Sequence, residues 1–285
     1  MAGTRTDQDQ SDIPTGLPRE HEALPGRDGS YLKHSLRLLV AGFLFGVFGV
    51  GGLFLACVVI PLHSRLRECP EGADIAAQRI IHRSFDYFIR LSVILHIISV
   101  EESGTERLRE VTGLVVANHP TLLDVVLLIS RMPQADCVVK REAWENFFLR
   151  RIVASAGYIP NDTGEDLVKA CTDRLRAGRS LIFFPEGSRS PLGGLGKFQR
   201  GAAHVAISGS CRITPVVIRC EPPTLMKGQP WYALPKRKFR FSLEVGESFR
   251  ASDLLSDDVA QPLAARQLTE ALRSYFATRL SHGIS

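Results

Sequence analysis

The chain has 285 residues, enough to bury one large core, or one large domain with an appendage. Hydrophobic residues make up 45%, an ordinary globular share, so composition excludes a collagen-like or wholly disordered chain but does not announce a membrane protein. The net charge of +5 is uneven: residues 1–30 hold three Arg and no Lys against six Asp or Glu, a net of −3, which leaves +8 on the remainder; a basic body is drawn to nucleic acid, anionic lipid or an acidic carrier protein.

Residues 1–30 are polar, rich in Pro, Gly, Asp and Gln, and without periodicity, and they read as a disordered acidic tail. A secretion signal is not expected, because the first apolar run starts late and lacks a small-residue cleavage site. The hydrophobic segment is placed at 31–67. Its centre, Leu38 to Leu62, carries no charge over 25 positions. As one helix that run would be roughly 37 Å long, against a hydrocarbon core of about 30 Å. Gly49, Gly51 and Gly52 weaken a helix at its middle. Lys33 and Arg37 precede the run, and Arg65 and Arg67 follow it. A helical hairpin dipping into one leaflet, with arms of about 18 Å, would put all four cations on one face. Both a membrane-inserted helix and a hairpin fit. Over 68–92, apolar Ile75, Ile80, Phe85, Phe88 and Ile89 alternate with Arg79, Arg83 and Arg90. This predicts an amphipathic helix from Ala73 to about Arg90, lying near headgroups or packing as an ordinary surface helix.

Residues 93–285 are read as one domain. Strands are predicted at Val93–Val100, Gly113–Ala117, Cys137–Val139, Ser180–Phe184, Ile213–Ile218 and Phe239–Val245. Helices are predicted at Thr121–Ser130, Glu142–Ala156, Gly164–Arg176, Phe198–Ile207 and Pro262–Leu280. Strand–helix alternation argues an α/β domain with a mostly parallel sheet flanked by helices.

The chemistry gathers at strand exits, where open α/β sheets place their ligands. Asn118-His119-Pro120 follows the strand Gly113–Ala117, and Asp124 lies in the first turns of the next helix. Because His119 precedes Pro120 it need not be helical, and its ring can fold back to the Asp124 carboxylate. That pair has the form of an oriented general base. Spacing alone favours a plainer arrangement, with Asn118 a helix cap, His119 a loop residue and Asp124 a solvated helix residue. A second polar cluster, Pro185-Glu186-Gly187-Ser188-Arg189-Ser190, ends the strand Ser180–Phe184. Gly187 permits a tight turn, and Arg189 offers a fork for phosphate or carboxylate. Lys197 and Arg200 open the following helix and make an anion site plausible there.

These segments resemble the lysophospholipid acyltransferase family, whose best-known members acylate 1-acylglycerol 3-phosphate. Its first motif, His, four residues, then Asp, is matched by His119 and Asp124. Its third, Phe-Pro-Glu-Gly-Thr-Arg-Ser, is matched by Phe184–Ser190 with Ser188 for Thr. Its fourth, an apolar stretch around Pro, is matched by Ile213–Val217. The resemblance implies His119 as base, Asp124 as its partner, and Glu186, Gly187, Ser188 and Arg189 in the acceptor site with Lys197 and Arg200 nearby. The second motif departs: Asn161 and Asp162 stand where the family has an Arg that holds the acceptor's phosphate.

The resemblance further implies no bound cofactor and no metal, with acyl-CoA or acyl-ACP (acyl carrier protein) as co-substrate. Membrane lipid is the expected partner, not nucleic acid, and the catalytic domain should face the cytoplasm, where the donors are. A phosphate-free lyso-lipid or secondary-metabolite hydroxyl is the alternative acceptor. A non-catalytic membrane-anchored adaptor is the alternative of another class. Six scattered cysteines lack zinc-like spacing and read as small apolar residues in a reducing compartment. Ser208-Gly-Ser210 lacks the pattern of a hydrolase nucleophile elbow.

Overall fold

A computed structural model describes residues 28–66, 70–147, 149–162, 164–192, 194–255 and 260–281. The acidic tail expected over 1–30 lies outside these residues except at its end, where helix α1 (Asp28–Phe54) has already begun. A π-helical segment, Leu55–Val59, joins α1 to α2 (Ile60–Leu66), so residues 28–66 form one uninterrupted helix of roughly 58 Å. No hairpin forms at the central glycines. Each Gly costs a helix only about 1 kcal/mol, less than a turn in an apolar run would cost in unmet backbone hydrogen bonds. Pro61 lacks an N–H, and the wider π turn just before it accommodates that gap.

This helix is two-faced. Ala41, Leu44, Ala56 and Ile60 are buried, and Phe48 packs on Phe85 and Phe88 with ring centroids 5.9 and 5.3 Å apart. The opposite stripe of Leu36, Leu39, Phe43, Val50, Phe54, Val58, Leu62 and Leu66 is exposed. Its steps of three, four and seven keep it on one side of a 3.6-residue helix. Among the described residues, His34–Leu66 is the one helix long and apolar enough to cross a membrane.

Phe85 and Phe88 belong to α3 (Ala73–Ile94), which is amphipathic as predicted but longer. It takes in the first residues of the strand expected at Val93–Val100, and β1 is instead Ile98–Ser103. The apolar run there fits either period, and His96, at φ 57°, marks the break between them. There follow β2 (Gly113–Ala117), α4 (Asp124–Ile129) and β3 (Asp136–Val139). The helix expected over Glu142–Ala156 is two, α5 (Arg141–Glu145) and α6 (Arg150–Ser155). Asn146 leaves the helical region (ψ 122°), and its Oδ1 accepts the Leu149 N–H at 3.2 Å, the way a cap starts a helix. The remaining elements are β4 (Ile159–Pro160), α7 (Glu165–Arg176), β5 (Ser180–Phe183), α8 (Gly201–Gly209), β6 (Arg212–Glu221), β7 (Phe239–Val245), β8 (Phe249–Arg250) and α9 (Gln261–Ser281).

The sheet order is β1-β7-β6-β2-β5-β3-β4, with β8 beside β6. Only β7 and β8 run against β6; every other pairing is parallel, as the alternation predicted. Strand β2 is buried throughout, which suits a centre covered on both faces. Val115 and Ala117 point to one face, with α1, α3 and α4; Leu114 and Val116 point to the other, with α7, α8 and α9.

Candidate active site

β2 and β5 pair in parallel with Val116 opposite Phe183, so the residues that leave the two strands emerge side by side. Residues some 65 apart in sequence therefore share one sheet edge. Asn118 does not cap α4, which begins only at Asp124. Its Nδ2 donates to the Ile218 carbonyl and its Oδ1 accepts the Ile218 N–H, both at 2.8 Å. The side chain thus acts as one more rung to β6 and frees residues 119–123 to form a loop.

Within that loop His119 Nδ1 and Asp124 Oδ2 are 2.9 Å apart. Asp124 is fully buried, while His119 keeps 17% of its side chain exposed. Burial of a carboxylate demands donors. Thr121 supplies two, its N–H to Oδ2 and its hydroxyl to Oδ1, each at 2.6 Å. With its oxygens so occupied, Asp124 accepts the Nδ1 proton and leaves Nε2 as the basic nitrogen of the ring. Phe184 lies against the imidazole, centroids 4.4 Å apart, and fixes its plane.

Glu186 reaches the same histidine from the other strand, through the backbone. Its Oε1 accepts the His119 N–H at 3.0 Å and the Ser190 hydroxyl at 2.8 Å, and its Oε2 accepts the Gly196 N–H at 2.8 Å. The Ser190 N–H returns to the His119 carbonyl at 2.7 Å. A Cβ at Gly196 would lie 2.6 Å from Glu186 Oε2, so a larger residue there would have to displace the carboxylate. Gly187, at φ 65°, makes the turn that brings Glu186 inward. Glu186 therefore braces two loops against each other and is only 8% exposed.

Two cavities meet at His119. The first, of about 1150 Å³, has a mixed lining that carries the site's cations; Gly187, Ser188, Arg189, Arg200 and Asn161 border it, together with Lys140 and His204. The second, of about 650 Å³, is almost wholly apolar and runs between α1, α3 and the sheet, past Phe48, Phe85, Leu122, Val126 and Phe239. Arg189 borders both and donates through Nη1 to the carbonyls of Leu225 and Met226 at 3.0 Å each. Lys197 is exposed and lines neither cavity, and Glu186 sits behind their walls. Asp162 is taken by Arg141, whose Nε and Nη2 donate to its Oδ1 at 3.1 and 2.7 Å.

Sequence reasoning missed Lys140, which follows β3 as His119 follows β2, and the same strand-exit rule would have found it. No local signal marks which residues line the apolar cavity. Burial pushes the thiols of Cys137, Cys171 and Cys220 up to about 12, so none offers a thiolate nucleophile. Among the described residues no group of three or more His, Cys, Asp or Glu is placed to hold a metal.

Residues 99–219 match the acyltransferase family model. A 1-acyl-sn-glycerol-3-phosphate acyltransferase of Helicobacter pylori is 30% identical over 169 residues, 57% of this chain and 69% of that one. The alpha form of the same enzyme from Mus musculus is 25% identical over 252 residues, covering 81% and 79% of the two chains. The crystal structure of PlsC from Thermotoga maritima, a 1-acyl-sn-glycerophosphate acyltransferase, superposes with a TM-score of 0.63 over 86% of this chain and 97% of its own. At 18% identity that likeness speaks for the fold. Motifs, sheet and relatives agree, and the chain belongs to the lysophospholipid acyltransferase family, as an O-acyltransferase.

Proposed function

We propose that the chain moves a fatty acyl group from the thioester of acyl-CoA or acyl-ACP to the free hydroxyl of 1-acylglycerol 3-phosphate, with His119 as general base. One observation carries this reading: the imidazole held by Asp124 stands where a cleft lined by cations and an apolar cavity meet. An acyl donor and a phosphate-bearing acceptor need both environments within reach of one base.

In this mechanism His119 Nε2 takes the hydroxyl proton as the oxygen attacks the thioester carbonyl. Asp124 stabilises the imidazolium so formed. The tetrahedral intermediate collapses with cleavage of the C–S bond, and the imidazolium returns its proton to the departing thiolate. The acyl chain occupies the apolar cavity. Arg189, Arg200 and Lys140 hold the acceptor's phosphate in place of the second-motif Arg, a role supported by their shared place in the larger cleft and by the engagement of Asp162 with Arg141.

The reading includes attachment to a membrane through α1 and α2. Their buried face runs along the domain from Ala41 to Ile60, roughly 28 Å, which supports a reading in which the exposed stripe lies in one leaflet. The donors are cytosolic, which puts the catalytic domain on the cytoplasmic side. The test is an assay of the purified chain with 1-acylglycerol 3-phosphate and with phosphate-free lyso-lipids, each against acyl-CoA and acyl-ACP. The phosphate-bearing acceptor should be preferred. A higher kcat/KM for every phosphate-free acceptor would overturn the acceptor assignment, and transfer undiminished in His119→Ala would overturn the base.

A further inference from the structure

The connection between β6 and β7 contains more than its chemistry-facing residues require. Residues 222–238 carry Lys227, Lys236, Arg237 and Lys238 and no Asp or Glu. All four cations are exposed, as are the adjacent Trp231 (44%) and Tyr232 (61%). Exposed neighbouring aromatics among uncompensated cations are costly on a surface that meets only water. Trp and Tyr join an apolar ring to a polar edge, which suits the level of lipid headgroups.

Position gives the pattern its meaning. The Trp231 ring lies 5.4 Å from that of Phe45 and against Gly42, where a Cβ would sit 3.5 Å from its edge. Arg37 Nη2 donates to the Arg237 carbonyl at 2.7 Å. The loop therefore runs beside the first half of α1, the part of the helix whose exposed stripe carries Leu36, Leu39 and Phe43. Nucleic acid would match the cations but not the apolar stripe beside them. A bilayer bearing anionic headgroups matches both.

We infer that this loop is a second membrane contact, in which Trp231 and Tyr232 sit at headgroup level and Lys227, Lys236, Arg237 and Lys238 take anionic lipid headgroups. The inference rests on the membrane attachment proposed above and adds to it a selectivity for charge that the neutral stripe of α1 cannot supply. The loop is also tied to the catalytic segment, since the Leu225 carbonyl accepts the Leu122 N–H at 3.2 Å.

The chain has two tryptophans, so Trp144→Phe leaves Trp231 as the sole reporter. That full-length variant is to be mixed with vesicles of phosphatidylcholine, or of phosphatidylcholine with phosphatidylglycerol, containing lipids brominated near the headgroup. Trp231 fluorescence should be quenched by the bromines and shielded from aqueous iodide. Partition onto the anionic vesicles should exceed that onto neutral ones. With Lys236→Gln, Arg237→Gln and Lys238→Gln combined, it should fall at least about tenfold on anionic vesicles at low salt, with little change on neutral ones. Transfer in detergent micelles should be unaffected by that triple change.

A chain that floats with vesicles while Trp231 stays open to iodide overturns the inference and leaves α1 as anchor. An undiminished anionic preference in the triple variant overturns the headgroup assignment. Failure to float at all would overturn the membrane reading and the inference together. Absence of acyl transfer from the parent in micelles would instead sink the functional reading, and the quenching result would stand apart from it.

Discussion

Asp124 and Asp136 are both fully buried, and the molecule neutralises them in different ways. Asp136, at the start of β3, meets a permanent cation: Arg179 Nε lies 2.8 Å from its Oδ2, and Gln78 of α3 donates to Oδ1 at 2.9 Å. Arg179 also pairs with Asp74 at 2.6 Å, which Arg174 meets at 2.9 Å. That network fastens α3 to the sheet. Asp124 has hydroxyl and amide donors and one partner whose charge can come and go, His119. A guanidinium is always charged, so it holds structure; an imidazole is charged only when it carries a second proton. The same residue type in equal burial is thus tied to a permanent cation in one region and to an imidazole in the other, the pair proposed above as the base and its partner.

Substitutions can break this contrast, the largest effect first. His119→Ala should lower kcat by about 10² to 10⁴, some 3–5 kcal/mol of barrier, with an unchanged melting curve. Asp124→Asn should cost nearly as much, because the amide can donate to Nδ1 and favour the wrong tautomer; a parental kcat would show that the carboxylate has no such role. Asp136→Ala should do the reverse. It removes the fully buried one of Arg179's two carboxylate partners, which costs up to about 3–5 kcal/mol of stability by thermal or denaturant melting, while activity per folded molecule persists.

Glu186→Gln tests the brace between the two loops. One of its three hydrogen bonds must fail, at about 1–3 kcal/mol. If Glu186 positions His119, kcat falls and the acceptor KM stays; a rise in KM at constant kcat would place the residue in the acceptor site instead. The smallest effect is expected at Asp74. Burial alone would raise its pKa, but hydrogen bonds from Arg179 and Arg174 hold it below the usual carboxylate range. Its contribution is therefore present above that range and is lost as pH falls through the lowered value. Asp74→Asn should be less stable than the parent by no more than about 1 kcal/mol near neutrality, and the gap should close in acid. A gap that widens in acid would contradict that sign. Asp136 behaves oppositely, its pKa raised by burial in spite of Arg179.

Much of this was legible in order of residues. Strand β2 and strand β7 fall where alternation and apolar runs put them, and α7 and α9 are off by a residue. The errors share a cause. Val93–Val100 is apolar enough to serve either period, and α3, already packed on α2 and α4, runs on through its first two residues. Glu142–Ala156 has helical periodicity across its length, but Asn146 satisfies the start of a new helix and divides it. Asn118 has the chemistry of a cap and is used as a sheet rung, because β6 lies close enough to offer both its groups.

By itself the sequence determined the strand–helix alternation, the apolar run before it, and the two polar clusters at strand exits. These follow from periods of 2 and 3.6 and from the chemistry of single side chains. Only the tertiary structure decided that β2 and β5 are neighbours, that Glu186 faces the backbone of His119, and that the apolar run is one helix with a cavity beneath it. Strand order and the enclosure of space depend on surfaces far apart in the chain, and no local pattern of residues encodes them.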